Sequence, residues 1–474
     1  MIRGQLGAAL LLVASAAATG GASAETLSDA LVKAYMNNPS LASARASLRV
    51  ADETVVQEQA AGLGTINGTA SLSASSTGGA SVLQGGGAGG SRVTSDPISL
   101  GISGAIPIYQ GGRVRYGIRS AEDGVRAARA GLVDSEQTIL LAAVTGFEDV
   151  RRALSFIDLA RNNVRVIAEQ VRAARDRFEV GEVTRTDVSQ AEARLAASRS
   201  SLASAVGTLA TARQAFIAVV GEAPGTLATP PPLPPLPESE EAAVALALAE
   251  HPQLVQARFN ARRAGHEVKR AAGAGLPTVE LRGDLAYTNS GLTQSGGESN
   301  VGSVTINATV PLWTGGGQPS AVRQAQATLA LRAAQVQETA RVIRRETAVA
   351  WSNVEVARSS IRANSQQIRA AQIAFEGVRE EATLGARTTL DVLDAEAELL
   401  NARVQMISSK RDEYVAAYTL LAAVGKLTVA HLGLNVPGYD TDAYMDGVRR
   451  TPYAYIDDGS ATPDGEWSLF DGRP

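Results

Sequence analysis

The chain contains no cysteine and only three histidines, His251, His266 and His431. Disulfide scaffolds, thiol catalysis and iron–sulfur clusters are excluded, and structural zinc is disfavoured. Aromatic residues make up 4% of 474 positions, so Ala and Val must do much of the packing. The net charge of −4 leaves no basic footprint for nucleic acid. Gly and Pro, at 46 and 18, are too few for a collagen-like or compositionally disordered chain. No carboxylate–base or metal-ligand constellation stands out, so no cofactor, no metal and no catalytic residue are expected.

The N-terminus reads as a secretory leader over residues 1–24. Arg3 supplies the positive start, Leu6 to Ala18 the apolar run, and Ala22-Ser23-Ala24 the small-x-small cleavage pattern. The run is shorter than the roughly 20 residues that span a bilayer. No cysteine follows for lipid attachment. No later apolar run reads as a spanning helix. The mature chain is therefore either soluble outside the cytoplasm or crosses a membrane as a β-barrel.

The organising fact is a duplication. "LSDALVKAYMNNPSLASAR" (27–45) matches "EAAVALALAEHPQLVQAR" (241–258). "IPIYQGGR" (106–113) matches "VPLWTGGG" (310–317), and "EVGEVTRTDVSQAEARL" (179–195) matches "TLGARTTLDVLDAEAEL" (383–399). The offset is 213 residues early and 204 later, so the second copy lacks about nine residues between its strands. The boundaries that follow are a first repeat at 25–229, a stiff Pro-rich linker at 230–237 ("PPPLPPLP"), a second repeat at 238–436 and a tail at 437–474. The tail has eight acids and no periodicity, and it reads as unstructured.

Each repeat starts with a helical segment. Two alternating stretches follow, separated by a polar Gly/Ser-rich segment (76–95 and 288–300). In the first, Ile66, Ala70 and Leu72 oppose Asn67, Thr69 and Ser71, and Ile98, Leu100, Ile102, Ile106 and Ile108 share one face. In the second, Val279, Leu281 and Leu285 oppose Glu280, Arg282 and Asp284, and Val304, Ile306 and Val310 oppose Ser303, Thr305 and Asn307. Such alternation over about ten residues suits a half-buried soluble strand or a transmembrane barrel strand. Long polar connections and the matched aromatics Tyr109 and Trp313 favour the membrane. Four strands cannot close a barrel, which needs about eight, so several chains would have to share one.

Proline is absent between Pro107 and Pro224 and between Pro319 and Pro437. Residues 113–180 can form one helix, about 100 Å long at about 1.5 Å per residue. Val150, Ile157, Val164, Val171 and Phe178 are spaced by seven, as are Val354, Ile361, Ile368, Phe375 and Ala382 in the copy, and Val188, Leu195, Leu202, Leu209 and Phe216 on the returning segment. Sustained heptads mean coiled-coil seams. Gly181 and Gly385 mark the reversals. Thr184 with Asp187, and Thr388 with Asp391, read as capping boxes that restart the helices.

These features together resemble the TolC family of outer-membrane efflux and secretion channels over roughly residues 25–435. The resemblance rests on the duplicated order, on "IPIYQGG"/"VPLWTGG" and above all on "GARTTLDVLDAEAEL". It implies an α+β membrane protein of TolC-like fold. Three identical chains would form a twelve-stranded transmembrane β-barrel, four strands each, continuous with a long periplasmic α-helical coiled-coil barrel. It implies a location in outer-membrane lipid with a periplasmic extension. The partners would be a periplasmic adaptor and an inner-membrane transporter of ABC or RND type.

By the same resemblance Asp391 and Asp394 line the pore entrance and select cations. Their spacing of three sets them on one helix face. The other reading of Asp391 is a helix cap or a dipole-stabilising acid. Arg387 matches the arginine of a gate network whose acidic partner falls on Glu179, an arrangement a surface ion pair would also give. The gate tyrosine of the family is Ala382 here. Val180, Gly181, Leu384 and Gly385 match the turns that meet the adaptor, or serve as turns only. A soluble periplasmic coiled-coil adaptor or scaffold is the alternative from another class. Drug efflux and type I protein secretion stay open as cargo routes.

Overall fold

The computed structural model describes residues 24–80, 90–95, 97–289 and 297–450. The leader ahead of Ala24 and the tail beyond Arg450 lie outside these residues. The first repeat runs α1 (Leu27–Asn37), α2 (Pro39–Ala60), β1 (Thr65–Leu72), β2 (Ser75–Ala80), β3 (Gly90–Ser95), β4 (Ile98–Gln110), α3 (Arg113–Glu179) and α4 (Arg185–Val220). The second runs α5 (Glu240–Glu250), α6 (Pro252–Gly273), β5 (Thr278–Asn289), β6 (Glu298–Thr309), α7 (Gly317–Thr383) and α8 (Thr389–Ala423), and α9 (Ala443–Arg450) follows. The two long helices have 67 residues each, one fewer than the heptads suggest for α3.

Three differences from the sequence reading have physical causes. The opening helical segment of each repeat is two helices. Asn38 and His251 precede a proline and take extended angles (ψ 121° and 127°), because the proline ring disfavours helical geometry in the residue before it. The polar segment 76–95 is partly a second hairpin, β2 with β3. Its Ser, Thr and Gly offer no apolar alternation to read, and backbone pairing carries it. Residues 437–450 are ordered, against the unstructured tail expected at 437–474. Asp442 pairs with Arg129 at 2.6 Å, Tyr444 donates to Glu53 at 2.8 Å, and Met445 is buried. A fourth difference is compositional. By length and composition alone α4 is apolar enough to cross a membrane, although most of that stretch is not buried. Its hydropathy comes from many small residues, which no long apolar run announces.

The residues gather into two compact units. One holds residues 39–141, 235–356 and 416–450 as far as described. Its core includes Ala243, Ala247, Leu254, Ile343, Ala350, Val354, Leu420 and Val424, small and medium side chains on close helices, as the aromatic shortage requires. The four-stranded antiparallel sheet, in the order β1-β4-β5-β6, belongs to this unit. At the foot of β4 two glycines meet. A Cβ on Gly111 would lie 2.2 Å from the Gly273 carbonyl oxygen, and a Cβ on Gly273 would lie 2.4 Å from that of Gly111. Gly111 also has φ +62°, where a side chain is strained.

The other unit holds residues 24–38, 142–234 and 357–415. Phe147 and Phe216 are fully buried there, and Gly146 lets the Phe216 backbone approach. Glu148 is 0% exposed, and the Nε and Nη2 of Arg151 donate to its Oε2 at 3.0 and 2.6 Å. Burial pushes the Glu148 carboxyl up, and Arg151 opposes that shift. Arg411 donates to Asp149 at 3.0 Å. The Tyr414 hydroxyl donates to the Pro231 carbonyl at 2.6 Å and so ties down the linker.

Candidate functional site

The sheet is the first site. Along β4 the residues that alternate outward are the apolar ones, and Ile98, Leu100, Ile102, Ile106 and Ile108 are all exposed. Ile66 is 83% exposed, Val304 80% and Leu312 92%. A sheet that turns its isoleucines to the surroundings differs from a soluble one, whose apolar face covers a core; β1 and β6 are exposed on both faces. Register carries the stripe across all four strands: Leu72 faces Ile98, Ile102 faces Leu285, and Leu281 faces Ile306. The opposite face is polar, with Asn67 opposite Ser103, Ser103 opposite Asp284 and Asp284 opposite Ser303. Tyr109 and Trp313 are exposed at the strand feet, where interfacial aromatics belong. Among the described residues β1 and β6 each bond a strand on one side only, so both edges are open.

The helix reversals are the second site, in the other unit. Gly181 and Gly385 have φ +80° and +77°. Gly385 N–H donates to Ala382 and Ala386 N–H to Glu381, the paired bonds that close a helix end through a left-handed glycine. Gly181 and Glu182 repeat this onto Phe178 and Arg177. The residues before them stand out, Val180 at 72% and Leu384 at 84% exposure. Each return helix restarts on a capping box. The Thr388 N–H and hydroxyl both donate to Asp391 Oδ2 at 2.9 Å, and Asp391 N–H donates back at 3.2 Å. Those bonds hold the Asp391 carboxyl below the usual carboxylate range. Asp187 does the same with Thr184.

The structure therefore separates the expected site residues. Asp391 is engaged as a cap, as its counterpart Asp187 is. Asp394 lies one turn further along α8 and accepts from Arg194 of α4 at 2.7 Å; Arg194 had no signal in the sequence. Both partners are about half exposed, so this is a weak surface pair that solvent can open. The expected pairing of Arg387 with Glu179 is not formed. Arg387 Nε instead donates to Glu381 at 2.9 Å. The reason is local: the Gly385 reversal folds position 381 back toward 387, so the guanidinium reaches it with little loop-closure entropy. Glu179, at the end of α3, makes no ion pair among the described residues. Among those residues no cluster of three or more His, Asp or Glu is placed to hold a metal ion.

A family model described as outer membrane efflux protein matches residues 30–222 and 243–426, that is, both repeats. The outer membrane efflux protein BepC of Brucella suis biovar 1 is 35% identical over 462 residues, 97% of this chain and 98% of that protein. The outer membrane protein TolC of Vibrio cholerae serotype O1 is 26% identical over 414 residues, 85% of this chain and 92% of its own length. In fold, the chain is similar to the solved outer membrane protein VceC of Vibrio cholerae, with a TM-score of 0.71 at 22% identity, covering 84% of this chain and 96% of that one. The family is one of channels rather than enzymes, and it works with periplasmic adaptors and inner-membrane transporters. The α+β fold is TolC-like, and the chain belongs to the outer membrane efflux protein family, as an outer-membrane channel with a periplasmic extension that serves efflux or type I secretion.

Proposed function

We propose that three copies of this chain close one twelve-stranded barrel in outer-membrane lipid. The duct would receive cargo from an ABC- or RND-type inner-membrane transporter through a periplasmic adaptor. The carrying observation is the sheet with an uncovered apolar face and two open edges. Its apolar face needs lipid and its edges need strands, and a neighbouring copy supplies the strands. A soluble adaptor or scaffold would leave that face in water.

The duplication gives the missing register. β4 and β5 pair so that partner numbers sum to 387 below the bulge, as in Ser103 with Asp284. Moving β4 forward by 204 and β5 back by 213 gives β6 against a neighbour's β1, with partners summing to about 378. Asn307 then faces the Ser71 of the next copy, polar side against polar side. The cysteine-free chain makes this easy to check. Asn307→Cys with Ser71→Cys should yield a covalent three-chain ladder in non-reducing gels of outer membranes. Ile306→Cys with Ser71→Cys, one position out of register, should give little. Equal yields from both pairs would remove this register, and no cross-linked product from either would remove the shared barrel.

At the helix reversals, Asp391 and Asp394 form the entrance filter in this reading, and Val180, Gly181, Leu384 and Gly385 meet the adaptor. Support comes from the exposure of Asp394 and of the four turn residues and from the excess acid on α8, where Gln190 is the first-repeat counterpart of Asp394. Asp391→Ala combined with Asp394→Ala should lower cation-over-anion permeability in planar bilayers and relieve block by polyvalent cations. Unchanged selectivity and block would take these residues out of the filter. Asp391→Asn separates the two roles, since the amide keeps a capping oxygen without the charge.

A further inference from the structure

The duplication places one pair of residues twice, with different outcomes. In the first repeat, Arg175 of α3 donates through Nε and Nη2 to Glu192 of α4, at 3.1 and 2.5 Å. The offset of 204 carries these positions to Arg379 of α7 and Glu396 of α8. The residue types are kept and the ion pair is not. Glu396 is 9% exposed, and its Oε2 has no hydrogen-bond partner among the described residues. Arg379 is exposed and makes no ion pair among the described residues.

The surroundings explain the withdrawal of Glu396. Val392, Leu393 and Leu399, within one turn of it, are all about 5% exposed or less. Leu393 packs on Val171, Ala174 and Ala191, whereas its first-repeat counterpart Ser189 is exposed. Several charged groups on these elements have hydrogen-bond partners of their own. On α8, Asp394 pairs with Arg194, Glu398 with Gln367 and Arg403 with Gln372. On α7, Glu376 pairs with Gln372 and Arg369 with Ser365. On α3 and α4, Arg175 and Glu192 hold each other. Burial alone raises the Glu396 carboxyl, to about 7.

We propose that the second helical hairpin has two arrangements, one with Glu396 buried and protonated, the other with Glu396 turned out to pair with Arg379 as Glu192 pairs with Arg175. A buried carboxylate without a partner is costly. On losing its proton to water, the group is driven toward the cation whose place the duplication has kept. The outward arrangement is favoured as pH rises, because the raised carboxyl binds its proton more tightly in the buried arrangement.

The test uses the full-length trimer in detergent. Spin labels are placed at Ile373→Cys on α7 and Asn401→Cys on α8, both exposed, with labelled chain diluted into unlabelled. Two inter-label distances should exchange between about pH 5 and about pH 9, with a midpoint near neutrality. Glu396→Gln should hold the low-pH distance throughout. Arg379→Gln should move the midpoint upward, and Glu192→Gln should leave it in place. A single distance unchanged over this range overturns the proposal, as does a wild-type response in Glu396→Gln. Should Glu396→Gln fail to assemble, an unmoved midpoint in the exposed variant Arg379→Gln is decisive against it.

Discussion

Gly111→Ala should destabilise the folded chain by about 2–5 kcal/mol. Two effects add. The left-handed backbone costs an L-residue about 1–2 kcal/mol, and forcing a methyl into a filled space costs about 1–3 kcal/mol. Here the filled space is the carbonyl oxygen of Gly273, and a main-chain atom at the end of α6 cannot swing aside as a side-chain tip can. Gly273→Ala meets the same wall from the other side in a helical backbone, so it should lose only the packing part. Gly315, the second-repeat counterpart, has φ +60° and, among the described residues, nothing within 4 Å of its would-be Cβ. Within one chain Gly315→Ala should cost only the conformational part. Any excess in the assembled protein would measure packing by a neighbouring copy. Urea midpoints of the three variants, compared in one detergent, check the order; Gly273→Ala falling below Gly111→Ala would refute the argument.

Arg151→Ala should cost about 3–5 kcal/mol, the range for stranding a buried charge by removing its partner. Arg151 gives the fully buried Glu148 both bonds to Oε2, while Oε1 has no partner among the described residues. The sign with pH follows from the direction of the shift. Burial raises the Glu148 carboxyl in the folded state, so the folded state binds that proton more tightly than the unfolded one. Stability from this group is therefore complete below about pH 4.5 and is lost as pH climbs through the raised value. Without Arg151 the value rises further. The damage should be small at pH 5 and large at pH 8, and Glu148→Gln in the same chain should recover most of it at pH 8. A pH-independent loss would mean that Arg151 acts through packing over Tyr414, whose ring its guanidinium covers at 5.6 Å.

The two predictions differ in how far each residue was legible. Gly111 stands in the repeated "YQGG" and announces a turn, but nothing marks Gly273 as its counterpart, since the contact joins the end of one repeat's strand to the other repeat's helix. Heptads named the helices and their inner seam, and Val150, Ile157 and Val171 are indeed buried. Phe178, last in the series, is 45% exposed, because period says which face is apolar and not what covers it. Alternation read the faces of β4, where the apolar residues are the exposed ones, whereas β1 and β6 are exposed along their whole length. The β2–β3 hairpin was invisible, since Ser and Gly are nearly neutral in that contrast. Ion pairs were least legible. Arg194 and Asp394 are 200 positions apart, and Arg387 took Glu381 across the reversal rather than the acid the resemblance offered.

The open edges of β1 and β6 also have a genetic consequence. On the proposed threefold closure, a chain with one edge blunted still offers its intact edge and can occupy a place in an assembly it cannot complete. If such a chain is made in equal amount with the normal one, only about one assembly in eight contains normal chains alone. Edge lesions should therefore behave as dominant alleles. Lesions that unfold the chain before its edges form should be recessive.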